Sequence, residues 1–214
     1  MYNLPQSTIV NKVIPKKTLV SQLGANTRMK DHLTNDVVRV EWLAKLAPST
    51  INVADGKEVH EITVFLVPVK DKNCSDDFFS FVDSLMPRHT LFILRWGEMS
   101  CLHLNYKEWM GNNTKADKAF RIVQTYRSQW VKDTEISLSI EGLNMDAIYG
   151  TLVRQVAGKR IILQSENLHE DVEKSSQYEA LLKEIEILKR KENKEKQPQK
   201  KFVLHQQRIA LELK

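Results

Sequence analysis

Residues 58–69 read EVHEITVFLVPV. The run is rich in Val, Ile, Phe and Thr, the residue types that suit a pleated backbone. Its middle is apolar at consecutive rather than alternate positions, which predicts a strand buried on both faces and therefore central in a sheet.

Downstream, Ser75 opens SDDFFSFVDSLM, with two acids in the first turn and Phe78, Phe81, Val82 and Leu85 at helical spacing; Pro87 ends it. TLFILRW (90–96) predicts a second strand. Gly97-Glu98 has the form of a two-residue hairpin turn that starts with Gly, and MSCLHLNY (99–106) predicts the return strand. The loop GNNTK follows, then strand-like FRIVQTY (120–126) and a further strand over Ile136–Ile140. Asn144 caps a helix through Ala157, with Met145, Ile148, Leu152 and Val156 on one face and Gly158 after its end. Upstream, Leu33, Val37, Val40 and Ala44 fall at i, i+4, i+7 and i+11, which predicts one helix from about Asn26 to Leu46, stopped by Pro48. Pro5 and Pro15 argue against a long helix nearer the N-terminus. The expected fold class is α/β (α+β): residues 1–160 form one domain with a mixed or mostly antiparallel sheet and flanking helices. A polar linker is expected over 161–176, and 177–214 form a C-terminal helical hairpin or coiled-coil-like arm with a basic turn.

Of the 214 residues, 42% are hydrophobic and 28% charged, ordinary values for a globular chain able to bury a core. Ile62–Val69, the longest nearly apolar run, is too short to cross a bilayer, and MYNLPQST lacks the basic start and apolar stretch of a signal peptide. A cytoplasmic protein that does not enter the membrane is expected. Cys74 and Cys101 lack metal-ligand spacing and are expected as reduced thiols near the core. The formal charge is +5. Residues 189–201 hold seven cations and two glutamates, a net +5, so one short segment carries the whole imbalance and the body is neutral.

No dinucleotide-binding glycine pattern, phosphate-binding loop, zinc-protease helix or serine-hydrolase elbow is present. Neither a cofactor nor a metal centre is predicted. The acids Asp55, Glu58 and Glu61 near the first strand, with Lys70, are the candidates for a divergent metal-dependent nuclease. The lysine that such sites place two residues after the glutamate is Thr63 here, so Glu61 is expected to be paired with a base. Among the histidines, His60 and His103 are the two that could neighbour each other on strands. Trp96, beside Arg95 and the hairpin turn, is the aromatic best placed for stacking. The basic segment offers the stronger physical case. Lys189, Arg190, Lys191, Lys194, Lys196, Lys200 and Lys201 can neutralise phosphates with little geometric demand. Pro198 is expected to separate a helix holding Tyr178–Leu188 from a second one over Phe202–Leu213. Leu181, Leu182, Ile185 and Leu188 form an apolar stripe suited to a partner protein.

The segments NLPQS and NKVIPKK, VEWLAKLAPSTINV (40–53), EVHEITVFLV (58–67) and EKQPQKKFVLHQQ (195–207) together resemble the family called domain of unknown function 4391, of bacteria and archaea. The pattern Trp42, Lys45, Leu46, Pro48, Thr50, Ile51, Asn52 and Val53 carries most of the resemblance. Pro198, Gln199 and Lys200 stand where that family has an aromatic residue, Asn and Arg. The resemblance implies a gene beside those of a helicase-like ATPase and a DNA methyltransferase, as in restriction and phage-defence loci. It implies an accessory, non-catalytic subunit of a DNA-processing complex, with those two proteins and DNA as partners. The rival expectation is the nuclease, acting with the helicase.

Overall fold

The structure is a computed structural model that describes residues 2–22, 24, 26–110, 120–161 and 167–213. The expected loop GNNTK lies outside the described residues. The chain divides into two compact units, Met1–Gly158 and Lys159–Lys214.

The first unit is built on a sheet whose strands follow chain order: β1 (Ile9–Ile14), β2 (Val40–Leu46), β3 (Ile62–Pro68), β4 (His89–Trp96), β5 (Met99–Trp109) and β6 (Phe120–Arg127), with β7 (Val131–Lys132) paired to β5. Every pairing is antiparallel except β3 with β4, which run parallel from Ile62 opposite His89 to Pro68 opposite Arg95. A parallel neighbour requires a crossover, supplied by α4 (Asp76–Leu85). The mixed sheet with flanking helices is therefore as expected, and β3 is its central two-sided strand: Ile62 to Val67 are all buried.

The period of two sorts these residues onto two faces. Phe65 and Val67 of β3 and Phe92 and Leu94 of β4 join one core cluster with Phe78, Phe79 and Val82 of α4, Leu33 of α2 (Thr27–Asn35) and Leu19 of α1 (Lys16–Gln22). Helix α5 (Met145–Ala157) lies on the other face. Its Tyr149 ring sits 4.4 Å from His89 and 6.2 Å from Tyr106, both of which point away from α4. The caps expected from Ser75 and Asn144 are present: Ser75 accepts from the Asp77 amide at 3.1 Å, and Asn144 from that of Ala147 at 2.9 Å.

Three expected elements differ. The helix predicted over 26–46 ends at Asn35, and residues 40–46 are β2. A bulge between Trp42 and Ala44 puts Leu43 and Ala44 both in the core. The bulge hides the period of two, and the chance helical spacing of Val37, Val40 and Ala44 takes its place. Residues 136–140 are not a strand. Leu138 bonds instead to the N-terminal segment, its amide 3.0 Å from the Tyr2 carbonyl, while β7 takes the edge of β5. The stretch read as a linker over 161–176 is helical from Leu168, where α6 (Leu168–Lys194) begins. The Asn167 side chain accepts from the His169 amide at 3.0 Å, and Glu170 and Asp171 sit in the first turn. Helix caps and first-turn acids outweigh the polar composition that suggested a linker.

The motif at Pro48–Val53 also gains a physical reading. Pro48 opens the short helix α3 (Pro48–Ile51), the Thr50 hydroxyl accepts from the Ala47 amide at 2.9 Å, and Asn52 ends the turn at φ 53° and ψ 54°. Asn is the non-glycine residue that tolerates this left-handed conformation best.

Between β4 and β5, Trp96 pairs with Met99, and Gly97 has φ 57°. A β-carbon at Gly97 would meet no atom within 4 Å, so any penalty there is purely one of backbone conformation. Gly97→Val is expected to lower stability by about 1–3 kcal/mol in urea unfolding. Gly97→Asn should cost less, and equal losses from the two would place the cause elsewhere.

Candidate functional site

The second unit is a helical hairpin. Helix α6 ends at Lys194, residues 195–197 turn, and α7 (Pro198–Glu212) starts with proline at its first position, where its missing N–H costs nothing. The second helix thus begins four residues earlier than expected. Glu192 of α6 holds the hairpin together: it accepts from Arg208 Nε at 2.9 Å and faces His205 Nδ1 at 3.0 Å. The hydrogen bond from Arg208 is the main reason the Glu192 carboxyl lies below the usual carboxylate range.

This closure decides the state of the basic segment. Lys189, Arg190, Lys191, Lys194, Lys196, Lys200 and Lys201 are all exposed. They fall on the last turns of α6, the connecting turn and the first turns of α7. The two glutamates among them do not neutralise them at close range. Glu192 is committed to α7, and Glu195 caps the turn by accepting from the Gln197 amide at 2.9 Å. Only Arg190 of the seven is seen in an ion pair among the described residues, 2.5 Å from Glu186. Lys200 and Lys201 also crowd the positive end of the α7 dipole, an unfavourable placement that an anion would relieve.

The stripe expected to hold a partner is largely used within the hairpin. Leu181, Ile185 and Leu188 are half-buried and share a helical face with Glu192, which bonds to α7. Leu182 is on another face and is exposed, as are Tyr178, Phe202, Val203 and Ile209.

The nuclease candidates do not converge. Asp55 pairs with His60 at 2.9 Å in the loop before β3, Glu58 follows in the same loop, and Glu61 pairs with Lys45 at 2.8 Å. Lys70 lies past the opposite end of β3, its Nζ donating to the Thr34 carbonyl at 2.8 Å. The whole of β3, about 20 Å long, lies between it and Glu61.

His60 and His103 are not neighbours: His103, fully buried on β5, sits 3.0 Å from Asp76. Trp96 is engaged at the hairpin, donating to the Lys70 carbonyl at 3.2 Å with Lys72 over its ring. Cys74 and Cys101 are free and buried; burial pushes both thiols up, Cys101 to about 12, far from a nucleophilic thiolate.

The polar network under α4 is not among the features expected from the sequence. Lys107 and Asp83, both fully buried, pair at 2.6 Å. Lys107 Nζ also donates to the carbonyls of Asp83 at 3.1 Å and Arg88 at 2.6 Å, which uses all three of its protons. Asp83 further accepts from Thr90 and, at 2.8 Å, from Asn105. Burial pulls the Lys107 ammonium down against the opposing pull of Asp83. With every proton spoken for, the pair is built for positioning β5 against α4 rather than for chemistry on a ligand. Its only sequence signal is a charged residue within each of two apolar segments.

Two of the cavities among the described residues of the first unit border the candidate acids. One, of about 340 Å³, is apolar, lies between β1–β4 and α4, and has Glu61 and Arg88 among its lining. The other, of about 220 Å³, is polar and aromatic and includes Lys57, His60, Arg88 and Trp109. Among the described residues, no helix is long and apolar enough to cross a membrane.

Compared with known proteins, residues 2–210 match the model of a family described as "Domain of unknown function (DUF4391)". Neither a curated protein nor a solved structure matches.

Proposed function

The chain belongs to the DUF4391 family, and from that premise we propose that it is an accessory, non-catalytic subunit of a DNA-processing complex of the restriction or phage-defence type, with its helical hairpin as the nucleic-acid contact. The observation that carries this reading is the cluster of cations at the tip of the hairpin, of which Arg190 alone is paired with a carboxylate among the described residues. Seven exposed cations gather around one turn, while the neighbouring Glu192 and Glu195 are committed to the fold of the hairpin. Lysines at a helical tip suit phosphates, which demand charge and reach rather than a shaped pocket. The proposed protein partners are a helicase-like ATPase and a DNA methyltransferase. The apolar side chains left in water on the hairpin, Tyr178, Leu182, Phe202, Val203 and Ile209, suit contact with one of them.

The test is a salt titration of duplex DNA binding by the full chain and by the variant with Lys194, Lys196, Lys200 and Lys201 replaced by Gln. The wild type is expected to bind without sequence preference. The variant should bind more weakly on every sequence, with the slope of log affinity against log salt reduced by about 0.9 for each lost phosphate contact. An unchanged slope would make the run a solvated connector and remove the DNA contact from this reading.

A further inference from the structure

The polar cavity is lined by residues of the first unit. On one side lies the loop 55–60, held by a single carboxylate: Asp146, in the first turn of α5, accepts from the amides of Lys57, Glu58 and Val59 at 2.6, 3.2 and 2.8 Å. The approach is so close that a β-carbon at Gly56 would lie 2.4 Å from the Val59 carbonyl oxygen and 2.5 Å from Asp146 Oδ1. Lys57, Glu58 and His60 are thereby presented to the cavity by a rigid loop.

Three aromatic side chains, His89, Trp109 and Phe120, line much of the rest. The buried His89 ring packs 5.1 Å from Phe120 as well as against Tyr149, and Trp109 meets Phe120 edge-on at 5.3 Å. Burial, reinforced by the Lys107 cation, lowers the His89 imidazole to about 3, so it stays neutral and the cations at the cavity are others. Half of the Trp109 surface is exposed. Exposed indole beside a rigid aromatic floor is a platform for a flat ring.

Lys57 and Arg88 line the same cavity, and neither has an ion-pair partner among the described residues. Two cations face one carboxylate, Glu58, so the site favours an anionic ligand that also offers hydrogen-bond donors. His60 is already paired with Asp55. The volume, about 220 Å³, is small for a ligand pocket, so it takes the ring of a small ligand and leaves the rest at the mouth beside the cations.

We propose that this cavity binds a single nucleotide, with the base against Trp109 and Phe120 and the phosphate between Lys57 and Arg88. The nucleotide could be free in solution or the phosphorylated end of a single strand; both present the same base and phosphate. The site needs no contact from the basic hairpin, so it stands or falls separately from the duplex reading.

The experiment uses the full chain carrying the four Lys→Gln replacements in the hairpin, which reduces competing phosphate contacts there. Calorimetric titrations are run with 5′-AMP, with adenosine, and with a 5′-phosphorylated hexathymidylate against its unphosphorylated counterpart. Saturable binding of AMP is expected, with Trp109→Ala weakening it by about fivefold to a hundredfold, the range for loss of one stacked base. Arg88→Gln should weaken AMP while leaving the weaker adenosine binding unchanged. Binding of the phosphorylated strand alone, with the same two sensitivities, would also bear the proposal out and identify a strand end as the source. Absence of saturable binding to any of these, or binding indifferent to both Trp109→Ala and Arg88→Gln, would overturn it. Both residues are exposed, and thermal melts of the variants check that the fold is intact.

Discussion

Lys107→Met is expected to destabilise the first unit by about 3–5 kcal/mol, the cost of removing one partner from a buried ion pair. The side chain lies in the interior with Asp83 2.6 Å away, and Met would fill much of its volume without its charge. Asp83 would keep its bonds from Thr90 and Asn105 but lose the cation that offsets its burial. The carbonyls of Asp83 and Arg88 would lose a donor as well. Asp83→Asn alone should also be costly, because it leaves the ammonium of Lys107 buried without a counter-charge. The double variant Lys107→Met/Asp83→Asn should lose clearly less than the sum of the two, since residues in one network couple. Urea unfolding of the four proteins closes the cycle. Additive losses would mean that the two charges do not act as a pair. Losses below about 1 kcal/mol would mean that water reaches them.

Asp146→Ala is the second large effect expected, about 2–3 kcal/mol. Hydrogen bonds to a charged acceptor contribute more than neutral ones, and three amides lose theirs at once; the partial exposure of the carboxylate limits the sum. The sign of its pH dependence follows from its titration. Burial raises the carboxyl, but the amides of Lys57, Val59 and Glu58 outweigh that and hold it below its ordinary value. A carboxyl whose folded value is depressed contributes stability that is fully present above its unfolded value. That contribution is lost as pH falls through the folded one. Wild type and Asp146→Asn should therefore differ most above about pH 5 and converge as the pH is lowered toward 2. A difference that stays constant over that range would show that charge plays no part. Gly56→Ala pushes against the Asp146 carboxylate as well as the Val59 carbonyl, so its loss should add only in part to that of Asp146→Ala. Because loop 55–60 forms one wall of the nucleotide cavity, both variants should weaken AMP as well.

What the sequence determined by itself is what local pattern can encode. EVHEITVFLVPV is apolar at consecutive positions and rich in β-branched and aromatic residues, which together favour a strand covered on both faces. It is indeed the central strand, with α4 and α5 on its two sides. Ser75, Asn144 and Gly97 carry the chemistry of their caps and turn in their own side chains or lack of one, so these positions were legible too. So was the separation of a neutral body from a basic segment around Pro198, because charge is additive along the chain and proline sets its own backbone.

Only tertiary structure decided the rest. Residues 40–46 have a pattern that helix and strand both satisfy; pairing with β1 and β3, through a bulge, selects the strand. Asp83 lies in a helix and Lys107 in a strand, 24 residues apart, and nothing local says that both charges go inside together. Glu192 looks in sequence like a counter-charge to the lysines beside it, until the return of α7 brings Arg208 and His205 within reach. The acids before β3 and Lys70 after it look adjacent in sequence, yet an extended strand keeps its ends about 20 Å apart. Lys57, Arg88 and Trp109 come from three different segments, and their cavity exists only because β3, β4 and β5 lie side by side. Contacts within one element depend on spacing, which a sequence displays; contacts between elements depend on which faces meet, which is settled only when the whole core packs.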